Sequence, residues 1–314
     1  MHLSYTLSSQ LKQSLSAIDT SRAAILLTPL TLKQELQLRW ETTVTRIHLG
    51  LSYTGTPVTK TDVVAVTTSK PRKPTMQEVA IGAYWDGLGG ISQDWLASPK
   101  PVTSTTLVGL YALSCQSTFG NLVGFRSQEK ELARRLGYLE GDGEHPVVTA
   151  AIAYLLIRTS DIFGEASHRM ALLTSYLFLY KRGYDIRGAL TFEAELFANP
   201  AALDQAIREA TGGSATLILE YMANAISASL EKTVQYVGEK AFAPPPKGGF
   251  FRLSERQKSI LSGLSVPNSA VTNRQVQKRF GISQITASRD LTKLASLGLL
   301  YPHGKGRATY YMRI

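Results

Sequence analysis

Residues 158–173 read RTSDIFGEASHRMALL, a short polar turn between two apolar stretches. Asp161, Glu165, Ser167, His168 and Arg169 crowd there at the mouth of a helix. A helix N-terminus carries unpaired N–H groups and the positive end of the dipole, so this composition suits a phosphate. In that reading Glu165 holds Mg²⁺ and Arg169 forks onto a phosphate. A purely structural reading fits the same residues: Glu165 and Ser167 cap the helix, and Arg169 is solvated.

The elements around this turn are helical. Apolar residues recur at helical spacing in LTLKQELQLRWETTVTRIHLGL (30–51), TMQEVAIGAYWDGL (75–88) and VTAAIAYLLIR (148–158). RMALLTSYLFLYKR (169–182) and SATLILEYMANAISASLEKTVQYV (214–237) repeat the pattern, and Gly183 after Lys181 and Arg182 marks a helix end. Strand-like alternation is scarce before residue 300. The fold class expected is mainly α.

At 314 residues the default is two domains. AFAPPPKGGFF (241–251) cannot continue a helix and reads as a stiff linker. The boundaries expected are a helical domain over 1–242, a Pro/Gly linker over 243–250 and a small domain over 251–314. Cys115 is the single cysteine, which excludes an intrachain disulfide and gives no sign of an oxidising compartment. The start, MHLSYTLSSQLKQ, lacks the basic patch and apolar run of a signal peptide. The longest apolar stretches end at charges well short of a membrane span. A cytoplasmic protein without a membrane partner is expected.

Charge divides the two domains sharply. Residues 243–314 hold 12 of the 34 Lys and Arg but only Glu255 and Asp290 of the 24 acids, leaving 22 of each sign in residues 1–242. The whole net charge of +10 therefore sits in the last quarter of the chain. Such a split favours a polyanionic partner, and nucleic acid over membrane, because no strongly amphipathic basic helix is present.

That quarter segments as helix, helix, short turn, helix and basic hairpin. Ser254 caps the first helix, Thr272 precedes the second, GIS forms the turn and Ser283 caps the third. Ala287, Leu291 and Leu294 fall on one face of the third helix, with Gln284, Ser288, Arg289 and Thr292 on another. LLYPHGKGRATYYMRI alternates around GKG as a two-stranded wing. The whole reads as a winged helix-turn-helix for double-stranded DNA, with Gln284 and Arg289 suited to base edges. Arg274, Lys278, Lys293, Lys305 and Arg307 suit phosphates. A winged helix used only for protein contacts is the alternative. The stretch also closely resembles the DNA-binding tails of bacterial transcription regulators.

HPVVTAAIAYLLIRTSDIF resembles the approach to the signature loop of Fic (Fido) proteins, whose active members transfer AMP from ATP to protein hydroxyls. YTGTPVTKTDVV (53–64) is similar to a family segment usually reading Glu-Gly-Asn-Pro-Leu-Thr. VAIGAYWDGL is similar to the helix after it, and KRGYDIRGALTFE (181–193) to the segment after the signature helix. Between residues 90 and 140 the match is weak, and the usual target-docking flap is shortened. The resemblance implies a Fic-like helical domain followed by the winged helix-turn-helix.

It also implies site residues. The family loop is His-x-Phe-x-Asp/Glu-Gly-Asn-Gly-Arg-x-x-Arg. Phe163, Glu165 and Arg169 match the aromatic, the metal-binding acid and the first arginine. Asp161 falls at the catalytic histidine, Ala166, Ser167 and His168 replace Gly-Asn-Gly, and Leu172 replaces the second arginine. On this register Phe163, Ser167 and Arg169 are the nucleotide contacts, Glu165 the metal ligand and Asp161 the catalytic position, with ATP and Mg²⁺ as cofactors.

The departures weigh against that chemistry. A carboxylate of pKa roughly 4 is a far weaker base than imidazole and repels a triphosphate. Replacing both glycines removes freedom of φ and puts side chains where phosphate must approach backbone. Leu172 donates nothing. His168 at a glycine position reads as a solvated or capping side chain rather than a displaced base. Gly50 and Thr54 occupy the Ser/Thr and Glu positions of the family's inhibitory helix, where Gly55 remains. The expectation is a DNA-binding regulator, a homodimer through residues 1–242, with a degenerate Fic-like domain for dimerisation or ligand sensing. The alternatives are an AMP transferase using Glu165 and Asp161, and a helical interaction scaffold.

Overall fold

Every residue from Val147 to Ile157 is buried, which only a helix at the centre of a core achieves. Its entry is fixed by His145, whose Nδ1 accepts the Val147 N–H at 3.2 Å, and by Pro146 in the first turn. The computed structural model describes residues 4–68, 71–122, 125–141, 143–242, 253–264, 270–296, 299–303 and 309–312. They fall in two compact units, Met1–Pro245 and Pro246–Ile314. The linker expected over 243–250 lies outside the described residues.

The first unit is helical. In order it holds α1 (Ser9–Leu27), α2 (Leu32–Tyr53), α3 (Lys60–Thr68), α4 (Met76–Asp94), α5 (Ser104–Ser114), α6 (Gln116–Phe119) and α7 (Phe125–Leu139). Then come α8 (Pro146–Arg158), α9 (Ser167–Lys181), α10 (Glu193–Leu196), α11 (Pro200–Thr211) and α12 (Thr216–Phe242). The five helices read from periodicity are α2, α4, α8, α9 and α12, with ends moved by a few residues. Helices α5 to α7 fill the region where the family resemblance faded. Helix starts follow local chemistry: Thr31 with Gln34, and Thr75 with Glu78, form capping boxes on α2 and α4.

Helices α8 and α9 are the central pair. From Arg169 to Lys181 every residue of α9 is buried, and α8 packs along it. Helix α12 covers α8 and also carries α1, while α2 and α4 approach α9 from another side. No single helix among the described residues is long and apolar enough to cross a membrane.

The second unit contains α13 (Glu255–Ser262), β1 (Ala270–Thr272), α14 (Asn273–Phe280), α15 (Gln284–Ser296), β2 (Tyr301–His303) and β3 (Tyr310–Met312). Ser254 with Gln257, and Thr272 with Gln275, form capping boxes on α13 and α14. Gly281, at φ 63°, ends α14 in the left-handed conformation that glycine takes without strain. Ser283 Oγ accepts the Thr286 N–H at 3.2 Å and so caps α15. Arg256 and Gln257 of α13 donate to the buried Asp290 carboxylate of α15 at 2.6 and 2.7 Å, fixing one helix against the other.

The wing departs from the two strands expected. Strand β3 is the middle of an antiparallel three-stranded sheet ordered β1-β3-β2, with Thr272 opposite Tyr310 and His303 opposite Tyr310 on its other edge. Three residues of β1 are too few for alternation to register, and their pairing partner lies some 40 positions away. The GKG turn lies outside the described residues.

Candidate functional site

The chain bends by 113° between α8 and the segment Asp161–Lys181 that ends in α9. The chain leaves α8 through Thr159 and Ser160, whose hydroxyls donate back to the carbonyls of Leu155 and Ile157 at 2.8 and 3.0 Å. A 3₁₀ turn, Asp161–Ala166, follows and is interrupted at Gly164 (φ 49°, ψ −128°). Ser167 Oγ donates to the Ser160 carbonyl at 3.2 Å and closes the loop on itself.

Side chains sort into two sets. Asp161, Glu165 and His168 are exposed. Phe163, Ser167, Arg169 and Leu172 are buried. Phe163 stacks on Tyr111 with ring centroids 5.9 Å apart and so anchors the loop to α5.

Arg169 is neither solvated nor turned to the loop's outer face. It is 0% exposed, lies over the Phe119 ring at 4.8 Å, and donates from Nη2 to Thr56 Oγ1 at 2.8 Å. Its Nε and Nη1 have no hydrogen-bond partner among the described residues, although the Cys115 thiol lies beside the guanidinium. Burial lowers the Arg169 pKa from its ordinary value and raises that of Cys115. The capping reading also fails. Helix α9 has no side-chain cap hydrogen bond: its N-cap is Ala166, which has no group to offer, and the Ser167 hydroxyl is spent on Ser160.

Next to this cluster, Thr54 Oγ1 donates to the Gly50 carbonyl, completing the end of α2. A Cβ at position 50 would stand 2.3 Å from the Tyr84 hydroxyl, so glycine there is what lets a fully buried tyrosine cross α2. The Tyr84 hydroxyl has no hydrogen-bond partner among the described residues.

Sequence reasoning missed the polar core behind the loop. Arg46 of α2 is buried, donates to the Leu190 carbonyl and the Tyr180 hydroxyl, and lies 4.7 Å over the Tyr176 ring. Glu193, 0% exposed, accepts from the Tyr176 hydroxyl at 2.8 Å and the Phe192 N–H at 3.0 Å. Burial raises the Glu193 pKa, against the pull of Arg46. A charged residue inside a helical stretch carries no sequence mark of burial.

These residues do not fit ATP with Mg²⁺. The acid at Glu165 faces solvent, yet Arg169 presents no surface to a phosphate, Ser167 is committed to Ser160, and Leu172 is a core side chain. Among the described residues no cluster of three His, Cys, Asp or Glu could hold a metal ion on protein ligands alone.

In the second unit the partition of α15 follows the expected faces. Ala287, Leu291 and Leu294 are 0% exposed, while Gln284, Ser288, Arg289, Thr292 and Lys293 are exposed. Arg274 and Lys278 are exposed on α14, which packs against α15. Asn273 Nδ2 donates to the Gln284 carbonyl at 3.3 Å, tying the starts of the two helices. Lys305 and Arg307 lie outside the described residues.

The helical architecture is that of Fic proteins. The chain is similar in structure to a Fic family protein from Desulfovibrio desulfuricans, with a TM-score of 0.62 and 15% identity over 100% of this chain and 98% of that one. It is also similar to Fic-1 from C. elegans, with a TM-score of 0.57 and 14% identity over 71% of each chain. No protein-family model and no curated protein matches it in sequence. The likeness is one of fold.

Proposed function

We propose that this chain is a DNA-binding transcription regulator whose Fic-like unit has lost AMP transfer and serves dimerisation or ligand sensing. The observation that carries the reading is α15: an apolar face wholly buried, with Gln284, Ser288, Arg289, Thr292 and Lys293 in solvent. That is the arrangement a recognition helix needs, held on α13 and α14 with base-reading groups outward. The charge of the last quarter supplies the phosphate attraction. One such unit reads a short half-site, so the protein binds as a homodimer on two related half-sites.

The test is binding of the full chain to random-sequence duplex DNA across a salt titration. Counterion release makes affinity fall steeply as salt rises. No binding at low salt, or binding indifferent to salt, overturns the reading.

A second reading, AMP transfer, is favoured by one observation, the solvent-facing Glu165 on a Fic-like fold. It requires Asp161 as base, without the phosphate cradle on which transition-state stabilisation depends. Incubation with labelled ATP and Mg²⁺ separates the two. Self-labelling abolished by Asp161→Ala establishes the enzyme.

A further inference from the structure

Ile260, Leu261, Leu291, Leu294 and Leu300 of the second unit are each no more than 2% exposed. Among the described residues of this unit, Val271 and Ile282 are partly buried, and Ile285 is the one exposed aliphatic side chain, at 66%. It stands in the first turn of α15, next to Gln284. With about 100° between successive residues, it falls nearly opposite the buried face of Ala287, Leu291 and Leu294. Its neighbours on the helix surface are Ser288, Arg289 and Thr292, so one branched hydrocarbon sits at the centre of a polar, cationic face.

Leaving such a side chain in water forgoes the gain of burying it, and nothing among the described residues of the unit requires it. Capping of α15 is done by Ser283, and packing by the opposite face. Its place matters more. The first turn of a recognition helix is the part that reaches base edges. Among the groups lining the major groove, the C5 methyl of thymine is the apolar one, and aliphatic side chains meet it there. The surrounding charge favours DNA over an apolar protein surface as the occupant.

We propose that Ile285 is a specificity-determining residue, selecting thymine by packing on its C5 methyl at one position of each half-site. The inference rests on the DNA reading above and adds what that reading lacks, a base preference. Gln284 alongside can pair with an adenine through N6 and N7, so the contacted step is rich in A·T pairs.

The experiment uses the full chain. Duplexes are enriched from a random-sequence library at low salt, and each thymine of the enriched site is then replaced by deoxyuridine, which removes only the methyl. One replacement is expected to weaken binding about threefold to fourfold, the worth of one buried methyl. Ile285→Ala is expected to bind the thymine and uracil duplexes alike. An enriched site at which no uracil replacement changes affinity overturns the inference and leaves the DNA reading standing. So does an Ile285→Ala variant as sensitive to uracil as the wild type. Failure to enrich any duplex overturns both, and would leave a protein contact as the use of this face. The uracil scan on the wild type decides the matter even if the variant does not fold.

Discussion

Arg169 of α9 hydrogen-bonds Thr56, 113 residues earlier in the chain, through Nη2 and Oγ1 at 2.8 Å. The loop's arginine is thereby turned into the segment following α2, under Phe119 and away from the surface where a phosphate would lie. A group suited to anion binding serves here as an internal tie between two parts of the fold.

The tie has a measurable cost when one side is removed. Thr56→Val leaves a further N–H of a buried guanidinium unsatisfied, and it should destabilise by about 1–3 kcal/mol. Arg169→Met removes the buried charge with its demand for partners, and should cost less than Thr56→Val. Urea unfolding of the two variants ranks them, and the opposite order contradicts the account.

Leu172 sits 0% exposed on α9, at the position that the sequence resemblance sets against a second arginine. Leu172→Arg would set an unpaired charge in the core and should destabilise by at least about 3 kcal/mol. Asp161→His changes an exposed position and should leave stability nearly unaltered. The five-substitution rebuilding of the loop, with Ala166→Gly, Ser167→Asn and His168→Gly, is therefore expected to fail first in folding, at Leu172. Thermal unfolding of the single variants checks this, and labelled ATP is expected to show no AMP transfer by Asp161→His.

Stability should also respond to pH through His145. Its neutral Nδ1 accepts the first N–H of α8, and burial lowers its pKa while Asp19, 3.5 Å from Nε2, raises it in part. The other groups facing the ring are Tyr184, whose hydroxyl donates to Asp19, and Arg22 stacked on Tyr184. Because the folded value lies below the ordinary 6.5, its contribution is full above about pH 6.5 and is lost as pH falls through the folded value. His168, exposed at its surface but lowered by desolvation from the packing around it and by Arg158, adds a smaller slope of the same sign. The melting temperature should fall from pH 7 to pH 5, and fall less in His145→Asn, which keeps a capping side chain. Equal slopes would remove His145 as a cause.

What the sequence displayed and what it hid divide along a physical line. The caps at Ser254, Thr272 and Ser283, the turn at Gly281 and the faces of α15 are local, set by residues within a turn or two, and they stood where spacing placed them. Strand β1 and the burial of Arg169, Arg46 and Glu193 depend on partners from 17 to 144 positions away. A charged residue reads as surface until its partners are in place, so the loop's residue types were visible while the direction of Arg169 was not.

The division between base reading and phosphate contact gives a final prediction. Arg289 projects from the exposed face of α15, and Arg274 from the start of α14. A guanidinium on a base edge contributes affinity only where the right base is present, whereas one on a phosphate contributes everywhere. Arg289→Ala should cost about 1–3 kcal/mol on an enriched duplex, with little change on random duplex. Arg274→Ala should weaken both alike and lower the slope of affinity against salt by about one. Measuring both variants on both duplexes over a salt series separates the roles. Identical behaviour of the two would mean that α15 does not enter the groove by the face assigned to it.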